Sequence, residues 1–245
     1  APVEPEPAPV DTKLTSKQSY LTRDVAAKWR SCISEAEHHA VSFYDLFKSQ
    51  SPEVKTAALC AANYALNAGL PDSYVAMALV YRLGEVIGKR IGVPDCLLSG
   101  PMYPLGCPFE VESIEDGHLM SQNTDMRHGV YSCGAGIYRA QCGFQALEWF
   151  GASEILWQCL QLSCQQFPDW ALYVLRFYDF KAWHIKSSYA RYADRIDNNY
   201  LQNINMFVRC LNQACEMPSQ SDIDLIHSMT SEMLPVGIFI PKARM

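Results

Sequence analysis

Six potential soft-metal ligands fall in one stretch: Cys96, Cys107, His118, His128, Cys133 and Cys142. Thiolates and imidazoles suit zinc, and a metal would order a segment rich in proline and glycine. Structural zinc sites, however, pair their ligands about two to four residues apart, and no such pair occurs here. The spacings of Cys96 to Cys107 and Cys133 to Cys142 approach, without matching, those of disulfide-linked helical hairpins. The sequence leaves open whether these six bind metal or form disulfides. Most of the ten cysteines lie among apolar residues, where a reduced thiol behaves as a small hydrophobe. Reduced core thiols are therefore the reading taken, and no metal or cofactor is assigned.

Nucleophilic chemistry has one candidate. Gln141-Cys142-Gly143 lies near the start of a helical pattern, and a helix N-terminus lowers a thiol pKa. His184 as base and Asn198 as its orienter follow in the order of a papain-like hydrolase. The Cys-Gly-Ser-Cys-Trp type of signature is absent and strand signals are sparse, so this stands as an alternative. Gly134-Ala135-Gly136 is an incomplete dinucleotide fingerprint with no strand before it. His38 and His39 are adjacent, which on a helix points them about 100° apart and away from a shared metal.

The most distinctive surface candidate is aromatic and basic. Phe180, Lys181, Trp183, His184 and Lys186 are followed by Tyr189, Arg191 and Tyr192. Such interleaving suits a protein interface or lipid headgroups, and it can also stack nucleic-acid bases. Asp179, Asp194 and Asp197 dilute its charge. The whole chain carries 20 basic against 26 acidic residues, a net charge of −6, which counts against nucleic acid.

Helices must position these groups. With 245 residues, 49% hydrophobic and 19% charged, the chain has enough apolar matter for a sizeable core. Apolar spacing of three and four predicts helix over Tyr20 to Lys48. Ser51-Pro52-Glu53 opens a second helix ending at Gly69, and Pro71-Asp72 a third. From Gly92 to Gly136 the rhythm breaks into a long irregular insertion. Helices resume over Ile137–Phe150, Ser153–Gln166, Asp169–Ser187, Tyr189–Cys215 and Ser221–Met233. Helix, Pro-Asp, helix occurs twice, at Pro71 and Pro168, each with Tyr ten residues on (Tyr81, Tyr178) and Lys eighteen on (Lys89, Lys186). The expected fold is all-α, built as stacked antiparallel helical hairpins resembling a short solenoid.

Extended arms flank this domain. Residues 1–18 form a proline-rich arm without a signal-peptide pattern, residues 19–234 one helical domain with its insertion at 92–136, and residues 235–245 an extended tail. The tail's Gly237-Ile238-Phe239-Ile240-Pro241 should pack on this chain or a neighbour. Ala243-Arg244-Met245 is a loose relative of the peroxisomal tripeptide. No segment approaches the roughly 20 apolar residues of a membrane span.

The run from Ser51 to Ala61, with Pro71 to Val80 after it, resembles tetratricopeptide-type hairpins, including those of the cytochrome c oxidase subunit Va family. That resemblance implies a non-catalytic helical subunit of a mitochondrial respiratory assembly, contacting other protein subunits through the N-terminal arm, the insertion and the tail. The competing readings are a viral coat or nucleocapsid subunit binding RNA, and the cysteine hydrolase built on Cys142.

Overall fold

The computed structural model describes residues 16–163, 166–213 and 217–242. The chain is mostly helical with one small sheet, in agreement with the all-α expectation. The elements in order are α1 (Lys17–Tyr20), α2 (Arg23–Glu35), β1 (His38–Ser42), α3 (Phe43–Lys48), α4 (Pro52–Asn67), α5 (Asp72–Val80), α6 (Leu83–Arg90), α7 (Asp95–Leu98), α8 (Ala152–Ser163), α9 (Asp169–Phe177), α10 (Lys181–His184), α11 (Arg195–Leu211), α12 (Gln220–Thr230) and β2 (Gly237–Pro241).

Hydroxyl and carboxylate caps begin many of them. Ser16, Thr22, Ser42, Ser51, Asp194 and Ser219 each accept a backbone N–H of the first helical turn. Asp194 with Asp197, and Ser219 with Asp222, complete reciprocal capping boxes.

The predicted helix over Tyr20 to Lys48 is broken, and the reason lies almost 200 residues away in sequence. The apolar tail forms β2, which pairs antiparallel with β1 from His38 opposite Pro241 to Ser42 opposite Gly237. Ile238 and Ile240 thereby bury themselves on their own chain. His38 and His39 consequently sit on a strand, on opposite faces, and not on a helix.

Three further helices differ from expectation, and the one predicted over Asp169–Ser187 is split into α9 and α10, ending at His184. Over Ile137–Phe150 the chain forms turns and one short 3-10 piece, Phe144–Ala146. Gln141 and Gly143 have φ of 55° and 82°, outside the helical region. Their N–H groups donate to the carbonyls of Arg191 and Tyr192 instead, at 2.8 and 2.9 Å. The helix expected from Tyr189 starts only at Arg195, after the Asp194 cap and a 3-10 turn at Ala190–Tyr192.

Helix α5 lies at the centre: every residue from Ser73 to Val80 is buried. It packs on α4, while α6 and α9 both pack on α8. The Pro-Asp echo has a structural counterpart. Pro71 and Pro168 are the N-caps of α5 and α9, which end at Tyr81 and Tyr178 with nearly the same backbone angles. These two rings meet edge to face at 5.6 Å, and Phe207 of α11 closes on both at 6.2 and 5.8 Å. The irregular stretch after α7 is part of this core, since Met102, Tyr103, Leu105, Ile114 and Met120 are buried in it.

Gly84 lets α6 approach α8. A Cβ there would overlap the carbonyl oxygen of Ala152 and touch Leu156. The backbone on which it would collide cannot rotate away as a side chain can. Gly84→Ala should therefore destabilise by about 1–3 kcal/mol through overpacking, despite alanine's better helix propensity. Urea unfolding would measure it, and a variant as stable as the wild type would refute this tight contact.

Candidate functional site

The groups singled out from sequence do not converge. His184 Nε2 lies 2.8 Å from the carbonyl oxygen of Tyr178, Asn198 donates to the carbonyl of Asp194, and the Cys142 thiol lies 3.7 Å from the Gly143 carbonyl oxygen. Burial is the main influence on Cys142 and pushes its thiol pKa up, the reverse of an activated nucleophile. Cys32, Cys96, Cys107, Cys133, Cys142, Cys159 and Cys210 form no disulfide; Cys107, Cys159 and Cys210 are buried and Cys133 is exposed. No three His, Cys, Asp or Glu side chains among the described residues come together as a metal-binding group.

The aromatic and basic run divides into two halves. Phe180, Trp183, Tyr189 and Tyr192 are buried in a ring cluster with Phe144 and Trp149. Lys181, Lys186 and Arg191 remain outside, and His184 is half-buried. The rings do not interleave with the charges on one exposed stripe, because the apolar ring faces gain more from the core.

A polar cavity of about 440 Å³ opens where α1, α7 and the start of α10 meet. Its lining includes Lys17, Cys96, Ser99, Glu115, Asp179 and Lys181. Sequence placed Lys17 in the arm, yet it is folded into the domain and only 4% exposed. Residues 1–15 of the expected arm lie outside the described residues, as does Ala243-Arg244-Met245. Helix α1 is pinned from several sides. Tyr103 Oη donates to the Lys17 carbonyl at 2.9 Å, and Asn123 Nδ2 donates to the carbonyls of Gln18 and Leu21 at 2.8 Å. Gln18 in turn donates to the Glu115 carbonyl at 2.8 Å. Gly151 makes room for the lysine: its φ is +150°, and a Cβ there would sit 2.8 Å from Lys17 Nζ.

The electrostatics follow from burial. Desolvation lowers the Lys17 pKa to about 8, partly opposed by the charge of Asp179. Among the described residues its ammonium has no ion-pair partner within bonding range. Asp179 follows Tyr178 at the end of α9 and pairs with Lys181 at 3.7 Å. Burial raises the Asp179 pKa, with Lys181 and Lys17 opposing, although its side chain remains 31% exposed and solvent screens it. The pocket thus offers ammonium donors and carboxylate acceptors in close reach, partly shielded from water. Sequence reasoning missed both main groups. No local pattern distinguishes Lys17 from a solvated lysine, and Asp179 reads only as a charge in a basic run.

A second cavity, of about 220 Å³, lies beside Gln161, Trp157 and Arg176 and is smaller than the roughly 300–1,000 Å³ of most small-molecule sites. An apolar cleft of about 550 Å³ at Ile33, Trp157 and Leu162 has few charged groups.

The family profile described as Myo-inositol oxygenase matches residues 31–231, most of the chain. The chain belongs to the myo-inositol oxygenase family. Inositol oxygenase of Sus scrofa is 28% identical over 127 residues, covering 51% of this chain and 45% of that protein. Inositol oxygenase of Danio rerio is 26% identical over 137 residues, 56% of this chain and 49% of the other. Inositol oxygenase 5 of Arabidopsis thaliana is 25% identical over 133 residues, 53% and 42% of the two chains. The chain spans about half the length of the curated relatives it matches.

This membership corrects the resemblance to tetratricopeptide hairpins and cytochrome c oxidase subunit Va, which rested on alanine spacing common to many packed helices. It also overturns the reading as a non-catalytic subunit of a respiratory assembly contacting other subunits through its arms. The relatives carry the name of an enzyme acting on a small molecule. The RNA-binding coat protein and the cysteine hydrolase fall with it.

Myo-inositol oxygenase relatives are named for chemistry with dioxygen. Dioxygen reacts poorly with closed-shell polyols, so such chemistry draws on a metal or an organic redox cofactor. Non-haem iron centres use two imidazoles and a carboxylate on one face. The histidines described here are scattered. His38 and His39 lie on β1, His118 is exposed, and His128 stacks on Tyr131 at 4.1 Å. His184 and His227 each keep a buried Nδ1 without a partner, but on different elements. The buried carboxylates are already engaged. Glu154 pairs with Arg176, Asp125 accepts from the Arg23 N–H at 2.7 Å, and Asp197 accepts from Tyr173, Phe144 and Asp194. The described residues do not fit a metal centre, and no step through one is assigned to them.

Proposed function

We propose that this chain recognises a cyclic polyol of the inositol class in the pocket around Lys17 and Asp179. Family membership supports the ligand class, and one structural observation carries the site: a buried lysine, Lys17, lines a polar cavity and has no ion pair among the described residues. A polyol suits this environment because each hydroxyl both donates and accepts. One hydroxyl accepts from Lys17 Nζ while its neighbour donates to the Asp179 carboxylate, and Lys181 holds that carboxylate in place. A charged donor in a partly dry pocket gives the stronger class of hydrogen bond. No described residue is assigned to the oxygen-dependent step.

Calorimetric titration with myo-inositol, and with an acyclic hexitol as comparison, tests this reading. Saturable binding with preference for the ring is expected. Affinity should fall as pH rises past about 8, where Lys17 loses the proton that the ligand oxygen shares. Heat of dilution alone, at all pH values, would refute the reading.

A further inference from the structure

Where oxygen chemistry on a polyol uses a metal, that cation sits next to the substrate. In this chain the cations at the polar pocket are lysine side chains that line it. We infer that the cation meeting a bound polyol here is the Lys17 ammonium, and that the described helical core holds no metal ion. The inference rests on the polyol reading for its first half and on donor chemistry for its second.

The donors around the pocket are the wrong kind or in the wrong state. Cys96 is half-buried, and desolvation pushes its thiol up, away from the thiolate a metal requires. Glu115 and Asp116 are exposed, and Asp179 already faces Lys181. No imidazole lines the cavity. Behind Asp179, the Tyr178 ring packs on Tyr81 and Phe207, and burial holds the phenol well above its usual range, so it stays protonated. A divalent ion in the cavity would also face two ammonium-bearing side chains, the buried Lys17, almost completely shielded from water, and the exposed Lys181. Like charges repel strongly under such low screening. Lys17, by contrast, is held by the backbone bonds of α1 and by the space at Gly151.

The test uses the chain expressed in iron- and manganese-supplemented medium and purified without chelator. Metal content is read by mass spectrometry. Myo-inositol is titrated before and after dialysis against EDTA, and into Lys17→Met. The expected result is less than about 0.1 equivalent of iron or manganese per chain. Polyol affinity should then stay within about twofold after EDTA, and weaken at least about tenfold in Lys17→Met. Circular dichroism checks that this variant is folded. Retention of about one equivalent of either metal overturns the inference, whatever the polyol does. Unchanged affinity in Lys17→Met overturns the role of Lys17 but leaves the polyol reading standing. A metal-free wild type that ignores myo-inositol overturns the polyol reading, and the role of Lys17 with it.

Discussion

Arg176→Met should lower folding stability by about 3–5 kcal/mol, the range for breaking one side of a buried ion pair. Arg176 on α9 donates to Glu154 on α8 through Nε at 2.7 Å and Nη2 at 3.1 Å. The two side chains are only 8% and 5% exposed. Arg176 also stacks its guanidinium 3.9 Å from the Trp157 ring centre. Methionine can fill part of that volume, but it leaves the Glu154 carboxylate buried with only the Gln158 amide as donor. Most of the loss thus comes from the stranded charge, and removing that charge should restore stability. The double variant Arg176→Met, Glu154→Leu should recover more than half of the deficit, since a buried pair is often replaceable by apolar residues. Urea unfolding of the three proteins decides it. A single variant within about 1 kcal/mol of the wild type would show that the pair is not a buried constraint.

Lys17→Met should do the opposite and stabilise the chain at neutral pH. The folded chain releases the Lys17 proton near pH 8 and the unfolded chain near 10.5. Below 8 both states hold the proton, and the folded state carries a buried charge at full penalty. Between these values the unfolded state binds more protons, so stability from this residue rises with pH by about 1.4 kcal/mol per unit. Methionine removes the ionisation altogether. The variant should therefore exceed the wild type by up to about 3 kcal/mol at pH 7, the gap closing towards pH 10. Buried cysteines such as Cys107 and Cys159, held up near 12, lose stability over part of the same window. They are common to both proteins and cancel in the comparison. A gap independent of pH would show that Lys17 is not titrating from a buried state. A variant more stable yet weaker for myo-inositol would mark Lys17 as a residue kept for binding at the expense of stability.

Much of the helical framework was legible because it depends on local chemistry. Ser51 with Pro52 starts α4, and Pro71-Asp72 and Pro168-Asp169 start α5 and α9, as side-chain caps and fixed proline φ angles dictate. The repeated Tyr81 and Tyr178 were visible as an echo, although only the fold shows that their rings touch. The failures share a physical origin. Residues 137–150 had helical spacing, but Gln141 and Gly143 give their N–H groups to carbonyls some 50 positions away. The aromatic residues from Phe180 to Tyr192 alternated with charges as a binding stripe would, yet each ring turned inward.

By itself, the sequence determined the helical class, the starts of several helices and an apolar tail that had to be covered. These follow from caps, from periodicity and from hydrophobic content, which act over a few residues. The tertiary structure alone decided that the tail breaks a helix by pairing with His38 to Ser42, and that Lys17 loses its water beside Asp179. Desolvation and strand pairing are set by what arrives from distant parts of the chain. That is why a lysine that reads as part of a free arm becomes the most perturbed cation of the described pocket.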